Sequence, residues 1–432
     1  MNDHFWDGED DNMKFDVAVL GGGFAGVAAA ISAARSGLSV LLVERSNSLG
    51  GAAVNGLVNP FMPNVTNTPD HQVAEKHSLS QGLFLEIVEE LRKMDAIRGA
   101  VPKEFHEEYL KVVLNRMVLG AGVRLLFHST LYAAHTEGGR IRSVTVANKS
   151  GSQVIEANCF IDATGDADLA VLAGCPHRLG REGDGLCQPM TLCFRVGNVD
   201  IERYKASRPM INELYQRMRA EGKIKNMRED VLIFHNLVGN VLHFNSTRIV
   251  RRSPVDAFDL TQAEIDAREQ VLELFTFLKE NIDGFQHSDL LMTASAIGVR
   301  ESRMIDGEYL LTGEDLVACT RFEDSIALGN YDIDIHNPEG SGTSHYYFPE
   351  GAYYTIPYRS LVPRGVENLL VAGRCISATH EAQASIRIMP IVCCLGQAAG
   401  TAAAIALRDG VAMNRVDIPT LQERLRQQGA AF

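Results

Sequence analysis

The chain has 432 residues, of which 46% are hydrophobic, so it can bury a large core in two or three domains, or in one nucleotide-binding domain that carries an insertion. Its formal net charge of −13 argues against nucleic acid or an anionic membrane surface as a main partner. The 8 cysteines are scattered without any C-x-x-C pair, which predicts reduced thiols and no metal site.

Residues 1–13 are acidic and lack hydrophobic periodicity, so we predict that they form a disordered tail. The acidic start has no apolar run of the kind that a signal peptide needs, and we expect no apolar stretch of transmembrane length. A cytoplasmic protein that does not contact a membrane is therefore expected.

A strand, a glycine-rich turn, a helix and a second strand are predicted over residues 16–44. The turn has the spacing G-x-G-x-x-G at Gly21, Gly23 and Gly26. The first glycine permits a tight turn, the second lets the backbone approach a pyrophosphate, and the third lets the helix pack closely on the sheet.

The helix is predicted to begin at Phe24 and Ala25, and its N-terminal N–H groups and positive dipole end suit phosphate groups. The second strand ends on Glu44, next to Arg45, at the distance where a ribose hydroxyl needs an acidic acceptor. The combination predicts a dinucleotide-binding unit.

Gly50, Gly51 and Ala52 open an irregular loop that runs to residue 67, and a long loop beside a nucleotide site is often functional. Two amphipathic helices, a strand and a three-stranded antiparallel meander follow, at residues 82–94, 104–119, 123–127, 131–136, 140–147 and 153–157. A buried strand from Cys159 comes directly after the meander.

The pattern changes near residue 191, where short mixed runs and two helices, around 212–221 and 261–280, predict an inserted α+β substrate or cap domain over residues 191–354. The nucleotide-binding domain then consists of residues 14–190 and 355–432. Its last part has a strand that ends at Gly373 and Arg374, and a small-residue helix that begins near Gly396.

Together these segments resemble the glutathione-reductase-type FAD-binding fold, and most closely the FAD-dependent oxidoreductases related to fumarate reductase flavoproteins. The resemblance covers nearly the whole chain after residue 13. Besides the glycine turn and Glu44, it is carried by Gly50–Gly51, by Ala163–Thr164–Gly165–Asp166, and by residues 358–361, 370–374 and 379–390. It implies an α/β fold: a Rossmann-type FAD-binding domain, with a central parallel sheet and the antiparallel meander, interrupted by the α+β domain.

The resemblance also implies that Glu44 holds the adenosine ribose and that Thr164 and Gly165 lie by the ADP half of FAD. Gly373, Arg374 and the helix near Gly396 would lie by the ribityl chain and the isoalloxazine, which Asn55 could frame. Many relatives have an acidic residue where Arg374 stands, so this cation could serve the pyrophosphate instead.

No attachment signature is present, which indicates non-covalent FAD. No cysteine precedes Cys159, which excludes the dithiol chemistry of disulfide reductases of this fold. A second G-x-G-x-x-G is missing, so electrons are expected to come from, or go to, an unidentified donor or acceptor rather than a stably docked nicotinamide.

His380 is the first catalytic candidate, because an imidazole beside the flavin can act as acid or base near neutral pH. The alternative is a histidine that only hydrogen-bonds the flavin or the backbone. Arg387, seven residues later, could bind a substrate carboxylate or stabilise reduced flavin. Equally, it could form a buried ion pair with Glu381 or Asp334.

His336 follows a polar segment and is either an active-site or a surface histidine. Arg300 and Arg303 could reach the flavin or the substrate, or they could pair with Glu301 or Asp306 on a helix surface. These four sites, at 300, 336, 380 and 387, are the predicted catalytic set.

We expect an FAD-dependent oxidoreductase that passes a hydride between a small polar metabolite and flavin N5, first of all as a dehydrogenase or oxidase. Reduction of an activated alkene, as in fumarate-reductase relatives, is one alternative. A flavoprotein subunit that relays electrons and has no substrate of its own is another. The sequence leaves a homo-oligomer open.

Overall fold

The computed structural model describes residues 13–67, 76–99, 101 and 103–432. The predicted disordered tail lies outside the described residues except for Met13. The strands are β1 Lys14–Leu20, β2 Val40–Val43, β3 Val65–Asn67, β4 Lys76–Ser78, β5 Arg124–Leu126, β6 Thr130–Glu137, β7 Arg140–Asn148, β8 Gly151–Asp162, β9 His177–Leu179, β10 Phe194–Gly197, β11 Ile233–His235, β12 Leu242–Phe244, β13 Asp289–Thr293, β14 Arg303–Ile305, β15 Ser325–Gly329, β16 Ile333–His336, β17 Thr343–Tyr346, β18 Tyr354–Pro357 and β19 Leu369–Val371.

The helices include both long core helices and single-turn elements. They are α1 Phe24–Arg35, α2 Leu83–Arg92, α3 Glu107–Gly120, α4 Asp168–Leu172, α5 Ile201–Ala220, α6 Ala257–Asn281, α7 Gly313–Val317, α8 His380–Ile386, α9 Met389–Asp409 and α10 Ile418–Gln427.

A seven-stranded sheet forms the centre of the fold, with the strand order β5-β2-β1-β8-β7-β6 and with β19 paired to β8. In β1, Val17 lies opposite Val40 of β2 and Cys159 of β8, both in parallel register. The parallel strands are buried on both faces, which is why they are continuous apolar runs in the sequence. The predicted Rossmann-type sheet and its antiparallel meander are confirmed.

Strand β8 joins the meander to the parallel sheet. Its first half pairs antiparallel with β7, and its last residues pair parallel with β19. The sequence predicted two separate strands here, at 153–157 and from Cys159. In the structure the burial of side chains alternates as far as Ala157 and is continuous from Cys159 to Asp162. The change in periodicity reflects a change of neighbours within one strand of 12 residues, and not a break in the chain.

Helices α1 and α9 cross at backbone contact against this sheet. A Cβ on Gly396 would lie 2.0 Å from the carbonyl oxygen of Ala25, and one on Gly400 would lie 2.1 Å from that of Ala29. Helix α9 begins at Met389, with Pro390 in its first turn, so the prediction that it begins near Gly396 is wrong.

Helix α9 is also long and apolar enough to cross a membrane, so the expectation that no stretch reaches this length is wrong. In the fold, 94% of its most apolar window is buried. Its apolar character on all sides follows from its position between α1 and the sheet.

A second core lies outside this sheet, where helices α5 and α6 cover one face of a four-stranded sheet in the order β11-β12-β10-β13. Both helices begin before the predicted residues, because Asp200 and Asp256 accept hydrogen bonds from first-turn N–H groups. Helix α5 continues through Pro209.

The second core ends near residue 299, and later apolar residues return to the first core. Ile305, Leu311, Ile326 and Ile333 pack with the Rossmann-type sheet and its helices. The predicted inserted domain extended to residue 354, so its C-terminal part packs differently from that expectation. Short strands with mixed polarity do not indicate in sequence which of two cores they cover.

Adding one methyl group at Gly400 tests the close helix crossing. We expect Gly400→Ala to lower the free energy of unfolding by roughly 1–3 kcal/mol, because the new Cβ meets backbone that cannot move aside. Denaturant unfolding measures this effect. Gly120→Ala is the matched control, since nothing lies within 4 Å of the added atom. Equal stability of the Gly400→Ala variant and the parent chain would show that α1 and α9 do not cross in this way.

Candidate functional site

The glycine turn after β1 is shaped by contacts that exclude side chains. Gly21 has φ +104°, and a Cβ there would lie 2.3 Å from the carbonyl oxygen of Ala163. A Cβ on Gly26 would lie 1.8 Å from the carbonyl oxygen of Gly21. The turn, the first turn of α1 and the end of β8 therefore meet directly, as a dinucleotide-binding turn requires.

The N-terminus of α1 is open for an anion. Its N-cap is Gly23, with no side-chain cap and no acidic residue in the first turn, so the N–H groups of Phe24 and Ala25 are left for a ligand. The loop after β2 packs beside it: Gly50 donates to the carbonyl oxygen of Gly22 at 2.9 Å, and a Cβ on Gly51 would lie 2.9 Å from the Cα of Gly23.

Glu44 places a buried carboxylate at the mouth of the turn. Its Oε2 accepts from the Gly22 N–H at 2.6 Å, and its Oε1 accepts from the Ser46 N–H at 2.8 Å. Each oxygen keeps a second lone pair, which suits the two hydroxyls of a ribose. The neighbouring Arg45 is exposed.

The loop from Ala52 onward is tied to the second core rather than folded into the turn. Asn55 donates from Nδ2 to the Oγ of Ser46 at 2.9 Å, and its carbonyl oxygen accepts from the N–H of Ala296 at 3.1 Å. The carbonyl of Ala52 accepts from Val58. Asn55 therefore lies between the nucleotide turn and the second sheet.

Arg374, which follows β19, completes the cradle at the same edge of the sheet as the glycine turn. Its Nη2 contacts Asp166 Oδ1 at 2.6 Å, and its Nη1 would lie 2.5 Å from a Cβ on Gly165. Burial raises the pKa of Asp166, but the positive charges of Arg374 and Arg45 and a hydrogen bond from Ser302 outweigh it, so the net pKa is lowered. Nε of Arg374 is buried without a partner among the described residues.

Gly373 and Thr164 lie on the same side of the cradle. Gly373 has φ +119°, and a Cβ there would lie 3.7 Å from the Cβ of Ala25. Thr164 donates to Asp162 Oδ1 from both its N–H and its Oγ1. Gly396 lies in the α1–α9 crossing, where a Cβ would lie 2.0 Å from the carbonyl oxygen of Ala25 in the first turn of α1. Its place beside the cofactor ring stays a prediction.

These observations fit a dinucleotide: an uncapped helix N-terminus, a glycine cradle that a Cβ would fill, an acidic acceptor and an orphaned guanidinium donor. A family model described as FAD dependent oxidoreductase matches residues 16–425. The chain belongs to this family. FAD is the cofactor of this oxidoreductase.

A geranylgeranyl diphosphate reductase from Rhodobacter capsulatus is 34% identical over 107 residues, which are 23% of this chain and 25% of the relative. This oxidoreductase thus matches about a quarter of the relative's length. Among solved structures, a geranylgeranyl bacteriochlorophyll reductase-like protein from Thermoplasma acidophilum has a TM-score of 0.47 at 11% identity, over 96% of this chain and 84% of that one. A flavin-dependent brominase has a TM-score of 0.49 at 10% identity, over 95% and 83%.

A buried polar network continues from the cradle toward the second core, and Gln188 lies at its centre. The N–H of Gln188 donates to Glu301 Oε2 at 2.8 Å. Its Oε1 accepts from Arg387 Nη1 at 3.0 Å and from the N–H of His336 at 3.2 Å. The Nε2 of Gln188 also donates to Gln383 Oε1 at 3.4 Å, and Gln383 Nε2 donates to the carbonyl oxygen of Arg300 at 2.7 Å. Because Glu301 contacts His380, the network includes all four predicted catalytic residues.

His380 and Glu301 form a close pair inside this network. The imidazole Nδ1 lies 2.7 Å from Glu301 Oε1, and Glu301 is fully buried. The carboxylate fixes the tautomer with the proton on Nδ1. Nε2 of His380 has no partner among the described residues, so it remains an acceptor that can take up a proton.

His336 differs from His380 because both of its ring nitrogens are engaged. Nδ1 contacts Arg248 Nη2 at 3.1 Å and Thr343 Oγ1 at 3.2 Å, and Nε2 contacts Asp334 Oδ2 at 3.3 Å. Burial, followed by the charge of Arg300, lowers the pKa of His336 to about 3. It is a neutral link in strand β16, and not the surface histidine that the sequence left open.

Arg387 pairs with Asp334 at 3.2 Å, while the other suggested partner, Glu381, is exposed. Burial raises the pKa of Asp334, but the hydrogen bond from His336 and the charge of Arg387 outweigh this and hold it well below its usual range. Arg303 instead contacts the carbonyl of Asp166 at 2.7 Å, on the cofactor side.

Arg300 reaches across to the second sheet. Its Nη1 donates to the carbonyl oxygen of Pro189 at 2.7 Å and to Thr191 Oγ1 at 2.5 Å, and its Nη2 donates to Asn245 Oδ1 at 3.3 Å. The sequence missed Gln188 and Gln383 altogether, because their contacts join residues far apart in the chain. Glu301 was visible only as a neighbour of Arg300, and nothing local linked it to His380.

The second sheet turns polar side chains toward the first domain. In β10 and β12, Arg195 and His243 lie directly opposite each other, between residues that face the second core. Arg195 forms an ion pair with Glu107 of α3, which also accepts from Asn59 Nδ2 at 2.6 Å. His243 is 1% exposed, and neither ring nitrogen has a partner among the described residues.

Loss of the Glu44 charge tests the ribose contact. We expect Glu44→Gln to weaken FAD binding roughly 10- to 100-fold, because a hydrogen bond to a charged acceptor is worth about 1.5–3 kcal/mol. Titration of the apoprotein with FAD, followed by flavin fluorescence, gives the dissociation constant. The control is Glu86→Gln, since Glu86 pairs with Arg35 on an exposed surface. An unchanged constant in Glu44→Gln would remove Glu44 from the FAD site.

His243 makes the stability of the protein sensitive to acid. Burial, and secondly the charge of Arg195, lowers its pKa from 6.5 to about 3. Between these values the unfolded chain binds more protons than the folded chain, so the free energy of unfolding falls as the pH falls. His243→Phe removes this proton uptake. The free energy of unfolding of His243→Phe, relative to that of the parent chain, should therefore increase as the pH is lowered from about 7 to about 4, as urea unfolding measures it.

The same substitution at His135, which is exposed on β6, is the control for adding an aromatic ring. A stability difference between His243→Phe and the parent chain that stays constant over this pH range would contradict the assignment.

Proposed function

We propose that this FAD-dependent oxidoreductase oxidises a small polar metabolite as a dehydrogenase or oxidase, with His380 as the proton acceptor. The observation that carries the proposal is the His380–Glu301 pair. It offers one free ring nitrogen, oriented by a carboxylate with 0% exposure, at the end of the FAD cradle. A base held in this way is what removal of a proton from a hydroxyl or amine requires.

Bound FAD supplies the two-electron chemistry, by taking up a hydride. In the proposed step the substrate O–H or N–H bond breaks and its proton passes to Nε2 of His380. The adjacent C–H bond breaks as the hydride leaves, and a carbonyl or imine forms. Glu301 stabilises the imidazolium through Nδ1–H, and the N–H of Gln188 holds the second oxygen of Glu301 in place.

The surrounding residues favour His380 over His336 as the base. Both nitrogens of His336 are already engaged, and protonation of its ring is opposed by burial and by the nearby charge of Arg300. His380 has one engaged and one free nitrogen. His336 and Arg248 instead support β16 and the hairpin that follows it.

Reduction of an alkene is the second candidate. The match to a relative named geranylgeranyl diphosphate reductase favours it, although that match covers 25% of the relative. In that direction a protonated His380 would deliver its proton to one alkene carbon while the hydride reaches the other. Anaerobic mixing separates the two candidates. A compound that the enzyme oxidises bleaches the oxidised flavin, whereas a compound that the enzyme reduces restores the colour of flavin that was reduced beforehand.

Replacement of the proposed base tests the function. With the substrate that an anaerobic screen of hydroxy and amino compounds identifies, we expect His380→Asn to slow flavin reduction by roughly 10²–10⁴ while FAD remains bound. Glu301→Gln should slow it less and shift its pH profile, since the pair loses its charge. His135→Asn, on an exposed strand, is the control.

Unchanged flavin reduction in His380→Asn would remove this residue from proton transfer. Failure of every compound to bleach or restore the flavin would favour an electron-relay protein without a substrate of its own.

A further inference from the structure

Five arginines gather around the polar network, and four of them have a carboxylate partner. The pairs are Arg195–Glu107, Arg228–Asp230, Arg248–Glu229 and Arg387–Asp334. The fifth, Arg300, donates only to neutral oxygens and has no carboxylate within ion-pair distance among the residues that the structure describes. Arg300 is therefore the arginine of this group without a carboxylate partner in the described part of the chain, since Glu301, the remaining carboxylate of the network, pairs with His380.

The unused donors of Arg300 lie on one edge of its guanidinium. Nη1 is engaged by Pro189 and Thr191, and Nη2 gives one hydrogen to Asn245. Nε contacts no described residue, and Nη2 has a hydrogen left. Nε–H and Nη2–H are the adjacent, parallel donors of a guanidinium, and a carboxylate matches them with two parallel hydrogen bonds.

The surroundings make this edge costly to leave without an anion. Burial, followed by repulsion from Arg387 and Arg228, lowers the pKa of Arg300 to about 9, so the group stays charged at neutral pH. A largely buried cation without a counter-ion is unfavourable, and a bound anion would offset that cost. Arg300 is partly accessible, as a ligand-binding residue must be.

We infer that Arg300 binds the carboxylate of a small hydroxy or amino acid, which is the substrate class of this oxidoreductase. The inference rests on the proposed function, because Arg300 directly precedes in the chain the residue, Glu301, that orients the proposed base His380. A carboxylate held at Arg300 and a hydroxyl or amine aimed at Nε2 of His380 would fix both ends of one small molecule. Arg303, three residues on, contacts the Asp166 carbonyl at the cofactor side.

Binding of acids and their amides tests the inference without turnover. The FAD-loaded enzyme is titrated with acetate, glycolate and benzoate and with acetamide, glycolamide and benzamide, followed by the flavin absorption difference and by calorimetry. We expect each acid to bind at least about tenfold more tightly than its amide. Arg300→Gln should abolish that preference, and Arg300→Lys should reduce it, because an ammonium cannot form the parallel pair.

Arg359→Gln is the matched control, since Arg359 pairs with Asp324 outside the network and should leave the preference unchanged. Acids that bind no more tightly than amides would overturn the inference, and so would a preference that persists in Arg300→Gln. If Arg300→Gln does not fold, Arg300→Lys decides in the same way. Inorganic phosphate that binds at Arg300 more tightly than every acid would also overturn it.

The His380→Asn variant separates this inference from the proposed function. The acid preference should survive in it, because Arg300 is intact. If flavin reduction is unaffected in His380→Asn while the acid preference depends on Arg300, the proposed base is wrong and the anion site stands. If flavin reduction is slow in His380→Asn and acids bind no better than amides, the proposed base stands and the anion site at Arg300 is wrong.

Discussion

Backbone contact at helix α1 is the constraint on which the rest of the structure depends. The helix is held between the end of β8, through Gly21 and Gly26, and helix α9, through Gly396 and Gly400. Side chains at these positions would push the three elements apart. Because they are absent, the uncapped N-terminus of α1 meets Thr164, Gly165 and Gly373 at one edge of the sheet, and a dinucleotide cradle results.

Four consecutive residues then join the cofactor region to the second domain. Arg303 and Ser302 contact the Asp166–Gly165 turn, Glu301 holds His380, and Arg300 reaches the second sheet. The backbone thus fixes the spacing between the cradle, the proposed base and the unpaired cation. This short segment links the cofactor cradle to the second core through consecutive residues.

Charge is distributed very differently inside and outside the molecule. The chain has a net charge of −13, yet Arg300 in the polar network has no carboxylate partner among the described residues, while the four neighbouring arginines each have one. Overall charge therefore describes solubility and unsuitable partners, while the local pairing of buried groups indicates what the site can bind. Buried pairs such as Arg387–Asp334 are neutralised within the fold, whereas Arg300 has no carboxylate partner among the described residues.

The sequence by itself determined the parallel sheet, the glycine turn and Glu44, because these depend on local patterns: buried apolar runs and fixed glycine spacing. FAD, rather than another dinucleotide, followed from the resemblance to a known family. It also singled out His380, Arg387, His336 and Arg300 by residue type. Only the tertiary structure decided which of them is free to act. The contacts of Gln188 with Glu301, and of Glu301 with His380, span 113 and 79 residues, and no periodicity encodes contacts over such distances. For the same reason the sequence did not show that Gly396 packs on the backbone of Ala25 at a helix crossing, or that apolar residues from Ile305 onward pack in the first core.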